Sequence, residues 1–235
     1  MKKNTYTIPL ALVFSLFFLW AISSNLLPTM IRQLMKTCEL NTFEASFTET
    51  AYWLAYFIFP IPIAMFMKRY SYKAGIIFGL LLAAVGGLLF FPAAMLKEYW
   101  AYLCIFFIIA TGMCFLETAA NPYVTIIGPI DSAARRISIM GICNKVAGII
   151  SPLIFAALIL KANDSELFAL IESGALDEAT KNAMLNELIQ RVIIPYIILG
   201  IILLLTGIGI RYSVLPEINT DEQNATDEQD NKHTD

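Results

Sequence analysis

Long apolar runs separated by short polar breaks set the pattern of this chain. Six runs reach or approach the roughly 20 residues that cross a hydrocarbon core about 30 Å thick. They extend from Tyr6 to Met30, Ala45 to Met67, Ala74 to Met95, Trp100 to Gly128, Ile137 to Leu160 and Val192 to Ile210. The third and sixth carry no charged residue, and the fourth and fifth carry one each. The pattern predicts an all-α integral membrane bundle of six spans, with both termini on one side.

Two polar stretches interrupt it. Between the fifth and sixth runs, residues 162–190 contain SELFALIESG and LDEATKNAMLNELIQ, whose leucines recur at helical spacing behind a candidate N-cap, Ser165. This predicts one or two short helices outside the membrane. Residues 216–235 are polar and acidic and repeat DEQ, a composition that predicts a disordered tail or linker.

Composition agrees with the pattern. The chain has 235 residues, 58% hydrophobic and 15% charged, and a mean hydropathy of +0.67. Soluble domains carry about 25% charged residues, so this balance points to the membrane class. The net charge of −3 comes from the acidic tail, without which 15 basic and 12 acidic residues remain. Nothing in that balance suggests a nucleic-acid partner.

Direction follows from lysine and arginine in the short flanks. With a cytoplasmic N-terminus, Lys2, Lys3, Lys68, Arg69, Lys73, Arg135, Arg136 and Arg211 lie inside, and Arg32, Lys36, Lys97, Lys161, Lys181 and Arg191 lie outside. This predicts both termini in the cytoplasm. Lys2-Lys3 before FSLFFLW also has the look of a secretory signal, but five further spans exclude secretion. The four cysteines lack CxxC spacing and the single histidine, His233, sits in the tail, so no metal site is expected. No phosphate loop, nucleophile elbow or dinucleotide fingerprint occurs, and no enzyme chemistry is predicted.

The candidate chemistry is polar groups at depth. Glu117 interrupts the apolar run FLETAANPY, eleven residues before Gly128, which at 1.5 Å per residue is about 16 Å from that end. An ionisable group at such depth is a functional hypothesis by default, set against a structural carboxyl bonded to a neighbouring helix. Asn121, four residues on, shares its face, and Pro122 frees a backbone carbonyl. A carboxyl, an amide and a carbonyl on one face suit a sugar, whose hydroxyls both donate and accept, although a nucleoside or polar peptide fits the same description. The first run adds Ser23, Ser24 and Asn25 before Pro28, the serines reading as helix-packing residues. The second adds Tyr52 and Tyr56, one turn apart, either a stacking surface for a sugar ring or helix-packing aromatics. The fifth holds Asn144 and Lys145, the latter placed either to snorkel to the surface or to pair with Glu117.

FFLWAISSN, FIFPIPIAMFMKRYSYKAGIIFG and FLETAANPYVTIIGP closely resemble the bacterial L-fucose:proton symporters and glucose/galactose permeases of the major facilitator superfamily. The resemblance extends to about Pro216. It implies an N-terminal six-helix half built as a 3+3 inverted repeat. It also implies a monosaccharide substrate, a proton gradient with no cofactor, and a bacterial inner-membrane location. Glu117 takes the position of the family's cavity glutamate, which handles proton and sugar, and Asn144 that of its sugar-contacting asparagine. Asn25 aligns within the first-helix motif, where Pro28 replaces the family's aspartate. Gly141 replaces a glutamine, and Lys145 adds a charge that is expected to fill part of the missing aspartate's role. The family has twelve helices, so a second six-helix half is the expected partner, from the same gene, a separate chain or self-association. The alternative from another class is a non-transporting membrane fragment or sugar-binding sensor.

Overall fold

The computed structural model describes residues 7–25, 27–37, 40–96, 98–128, 130–159 and 177–218. Its regular elements among these residues are helices, in the order α1 Thr7–Asn25, α2 Leu27–Thr37, α3 Thr42–Ile58, α4 Pro60–Arg69, α5 Tyr72–Leu96, α6 Tyr99–Ile126, α7 Ala133–Ile159 and α8 Glu178–Arg211. A 3₁₀ turn, Ile130–Ser132, precedes α7. Five of the helices are long and apolar enough to cross a membrane, and α3 with α4 makes a sixth span if the pair is read as one bent helix.

A proline marks the one place where the described helices bend away from an uninterrupted run of the sequence. Along the first run, helix is described from Thr7 to Asn25 and from Leu27 to Thr37, and residue 26 lies outside the described residues. The second run bends by 43° at Phe59, where Pro60 opens α4. At the other end the chain is more regular than expected. The LDEATKNAMLNELIQ stretch is not a separate helix but the beginning of α8, capped by Asp177, whose side chain accepts from the Thr180 N–H. Ser165, the expected N-cap, lies outside the described residues.

The bundle is organised around α6, which packs against α5, α3, α1 and α7. Of the spanning part of α6, 67% is buried, against 17% of α7. The fit of α5 is set by its glycines. A Cβ on Gly79 would stand 2.7 Å from the Gly112 carbonyl oxygen, and a Cβ on Gly112 would stand 2.5 Å from the Ala83 nitrogen. Two turns further along α5, a Cβ on Gly87 would meet Gly200 of α8 at 3.0 Å. Without a hydrophobic drive between helices in lipid, such close backbone approach is the main source of association. The Gly75–Gly79 pair has the G-x-x-x-G spacing that serves it.

Two basic residues of the short flanks are consumed in structural bonds, Arg136 at a helix end and Lys73 to the segment after α8. Arg136 is 5% exposed and donates Nε to the Val124 carbonyl at 2.9 Å and a terminal nitrogen to Thr125 at 2.8 Å. It also bonds the Ser132 hydroxyl. It therefore satisfies the orphan carbonyls at the end of α6 and places a cation at the negative end of the helix dipole. Gly128, with φ of 109°, turns the chain there. Lys73 is 7% exposed and donates to Ser213 at 3.2 Å and Leu215 at 3.0 Å. The Tyr123 hydroxyl donates to Pro216, and the Tyr72 N–H to Ile218. Residues 213–218 thus form a strap across the ends of α5 and α6. The first residues of the expected disordered tail belong to it, and 219–235 lie outside the described residues.

Candidate functional site

Helix α6 carries Glu117 in its interior, nine residues from its last residue, Ile126; that is about 14 Å along the axis. The helix stays continuous through Pro122. Glu117 is half-buried. Among the described residues it makes no hydrogen bond and no ion pair, and Lys145 does not reach it. The Lys145 side chain is exposed on α7.

Across the helix interface, α3 brings two tyrosines to Glu117. Tyr52 and Tyr56 lie within electrostatic reach of its carboxyl, as does the Cys114 thiol one turn earlier on α6. The two tyrosine rings stack on each other, with centroids 5.6 Å apart and planes 27° from parallel. Their hydroxyls are tied to α1. The Trp20 indole N–H donates to the Tyr56 oxygen at 3.2 Å, and the Tyr52 hydroxyl donates to Ser24 at 3.3 Å. Tyr52 is 3% exposed, a packed residue, whereas Tyr56 is half-buried. Beneath Tyr52 is an internal void of about 10 Å³ that Ser23 and Tyr196 help to line, room for about one water.

Asn25 closes α1 and bonds back to the Ala21 carbonyl at 2.7 Å. It faces Gly148 of α7, where an added Cβ would stand 3.5 Å from its amide nitrogen. The adjacent Ser151 hydroxyl donates to the Ile22 carbonyl, joining α7 to α1. Asn121 is exposed on α6 and Asn144 is half-buried on α7; neither makes a hydrogen bond among the described residues. A Cβ added to Gly141, one turn before Lys145, would meet nothing within 4 Å, so this part of α7 is open.

The structure therefore divides the candidate residues into two sets. Glu117, Tyr52 and Tyr56 form one cluster, joined to α1 through Trp20 and Ser24. Asn121, Asn144 and Lys145 offer free polar groups on the uncovered parts of α6 and α7. Sequence reasoning passed over Trp20 and gave Ser24 only a packing role. An indole N–H inside an apolar helix needs a partner, and that requirement was the available signal for Trp20. Among the described residues, no group of three or more His, Cys, Asp or Glu could hold a metal ion.

The family pattern of the Major Facilitator Superfamily matches residues 10–233. The L-fucose-proton symporter of Escherichia coli strain K12 is 37% identical over 220 residues, covering 94% of this chain and 50% of that protein. A glucose/galactose transporter of Brucella abortus is 32% identical over 231 residues, covering 97% of this chain and 52% of its own length. The crystal structure of the transporter FucP in the outward conformation superposes with a TM-score of 0.77 at 36% identity, covering 92% of this chain and 51% of that one. The chain spans about half the length of the curated relatives it matches. Those relatives are transporters, not enzymes.

Proposed function

The chain belongs to the Major Facilitator Superfamily, and from that premise we propose that it is one six-helix half of a proton-coupled monosaccharide symporter. The names of its relatives support a sugar of the fucose, glucose or galactose type. In this reading the protein lies in the bacterial inner membrane with both termini in the cytoplasm. A second six-helix half, from the same polypeptide, a separate chain or a second copy, covers the open side of α6 and α7. Substrate sites in such folds lie near the midplane between the two halves.

The observation that carries the reading is Glu117, a carboxyl deep in a spanning helix with no ion-pair partner among the described residues. A carboxyl locked in a salt bridge would stay ionised; one without a partner is free to bind and release a proton. Protonated, it is neutral and donates a hydrogen bond to a sugar hydroxyl; ionised, it accepts from one. Sugar and proton then occupy the site together, and the loaded site carries no net charge from this residue as the two halves rock. Tyr56 offers a half-buried aromatic edge beside the carboxyl, its hydroxyl oriented by Trp20. Asn121 and Asn144 supply amides for further hydroxyls, Asn25 steadies the α1–α7 contact, and Lys145 is a positive charge on the cavity wall.

The test is sugar-induced alkalinisation in cells producing the chain with its second half, comparing wild type, Glu117→Gln and Lys145→Ala. Glu117→Gln is expected to abolish proton uptake while sugar binding persists. Lys145→Ala is expected to weaken proton uptake without abolishing it. Unchanged proton uptake in Glu117→Gln overturns the assignment.

A further inference from the structure

At the end of the bundle that carries Lys68, Arg69, Lys73 and Arg211, a cavity of about 450 Å³ opens among α4, α5, the end of α8 and the strap. Its walls include Phe66 and Phe78, whose rings lie 5.4 Å apart, and its rim holds Lys73, Arg211, Tyr212 and Glu217. The Phe78 position is six residues beyond Tyr72, the first residue of α5, which is about 9 Å into the span. The cavity therefore runs from the interface to the depth where acyl chains begin. Phe78 is 43% exposed and Tyr212 81% exposed, so the opening faces outward from the bundle.

The charges at the rim are arranged in an unusual way. Arg211 and Glu217 line the same cavity, yet neither forms an ion pair among the described residues. Lys73 gives two of its three ammonium protons to the Ser213 and Leu215 carbonyls, leaving the third. Glu217 is brought to this rim by the strap, six residues after Arg211 in sequence. Two cations and one acid, held apart over an aromatic wall, are complementary to a group with one negative and one positive charge joined to an apolar chain.

We propose that this cavity seats one phospholipid with a primary-amine headgroup, of the phosphatidylethanolamine class. Arg211 and the free proton of Lys73 bind the phosphodiester, in a charge-assisted contact that guanidinium favours. Glu217 accepts from the ammonium, Tyr212 sits at headgroup level as interfacial tyrosines do, and Phe66 and Phe78 contact the first methylenes of an acyl chain. Basic pockets between spans on the cytoplasmic side are known seats for lipid headgroups. The acid at this rim is what selects the amine. The inference does not depend on sugar transport.

Native mass spectrometry of the full chain in detergent, titrated with chain-matched phosphatidylethanolamine, phosphatidylcholine and phosphatidylglycerol, tests it. The ethanolamine lipid is expected to bind most tightly, because choline's quaternary amine has no N–H to give Glu217 and glycerol has no cation. Arg211→Gln is expected to lower its retention about tenfold, the size of one charge-assisted contact. Glu217→Gln is expected to erase the preference for ethanolamine over choline while leaving the glycerol lipid bound. Soluble glycerophosphoethanolamine, which has no acyl chain, should not compete. Equal binding of the three lipids overturns the proposal. So does a preference that survives both substitutions in variants with unchanged helical content, or displacement by the soluble headgroup.

Discussion

Gly112→Ala is the substitution that most directly tests how this bundle is held together. Its added Cβ would lie 2.5 Å from the Ala83 nitrogen, 2.6 Å from the Gly79 carbonyl oxygen and 2.9 Å from the Ala83 Cβ. Two of these atoms belong to the α5 backbone and cannot swing aside. Restoring ordinary contact near 3.4 Å requires α5 and α6 to separate by close to 1 Å along their tightest crossing. Overpacking of this kind typically destabilises by about 1–3 kcal/mol, offset by up to about 1 kcal/mol of helix propensity gained when alanine replaces glycine. A net loss of about 1 kcal/mol lowers the folded-to-unfolded ratio roughly fivefold, and lowers the melting temperature by about 2–4 °C for a chain of this length. The assay is thermal unfolding in detergent followed by circular dichroism at 222 nm. Gly141→Ala is the internal control, because nothing lies within 4 Å of its Cβ position; propensity alone acts there, and stability should hold or rise. If Gly112→Ala melts no lower than Gly141→Ala, close glycine packing does not set the α5–α6 contact.

Lys73→Met removes the two bonds to the Ser213 and Leu215 carbonyls; loss of charge-assisted bonds worth about 1.5–3 kcal/mol each should release the strap. Hydrogen exchange at the Tyr72 amide, which bonds Ile218, should rise well beyond that of the α6 interior, and equal protection in both proteins would refute the strap. Arg136→Gln leaves the Val124 and Thr125 carbonyls without their guanidinium, and the melting temperature should fall by several degrees, whereas Arg135→Gln, exposed on the same turn, should leave it unchanged.

The order of apolar runs was enough to establish an all-helical membrane bundle, because the need to satisfy every backbone group in lipid leaves a long apolar segment few alternatives to a helix. The same local chemistry marked Glu117 as exceptional, since a carboxylate at that depth is costly wherever the helices go. Motif likeness singled out Asn144 and Asn25. Proline positions were visible too, although the consequence at Pro60, a 43° bend, depends on which neighbours accept the broken turn.

Relations between helices were not legible in the same way, because they are distances between segments far apart in the chain. Whether Lys145 meets Glu117 depends on the rotation of α7 about its own axis, and packing against α1 leaves the lysine on the exposed side. Tyr52 and Tyr56 occupy one face by sequence spacing, but only the position of α1 makes Trp20 and Ser24 their partners. Arg136 and Lys73 read as topology signals in the flanks; the fold turns Arg136 into a cap for carbonyls that the end of α6 leaves without partners and Lys73 into the anchor of the strap. Composition and periodicity thus determined what each segment is, and tertiary packing decided which polar groups are spent on structure and which stay free for a ligand.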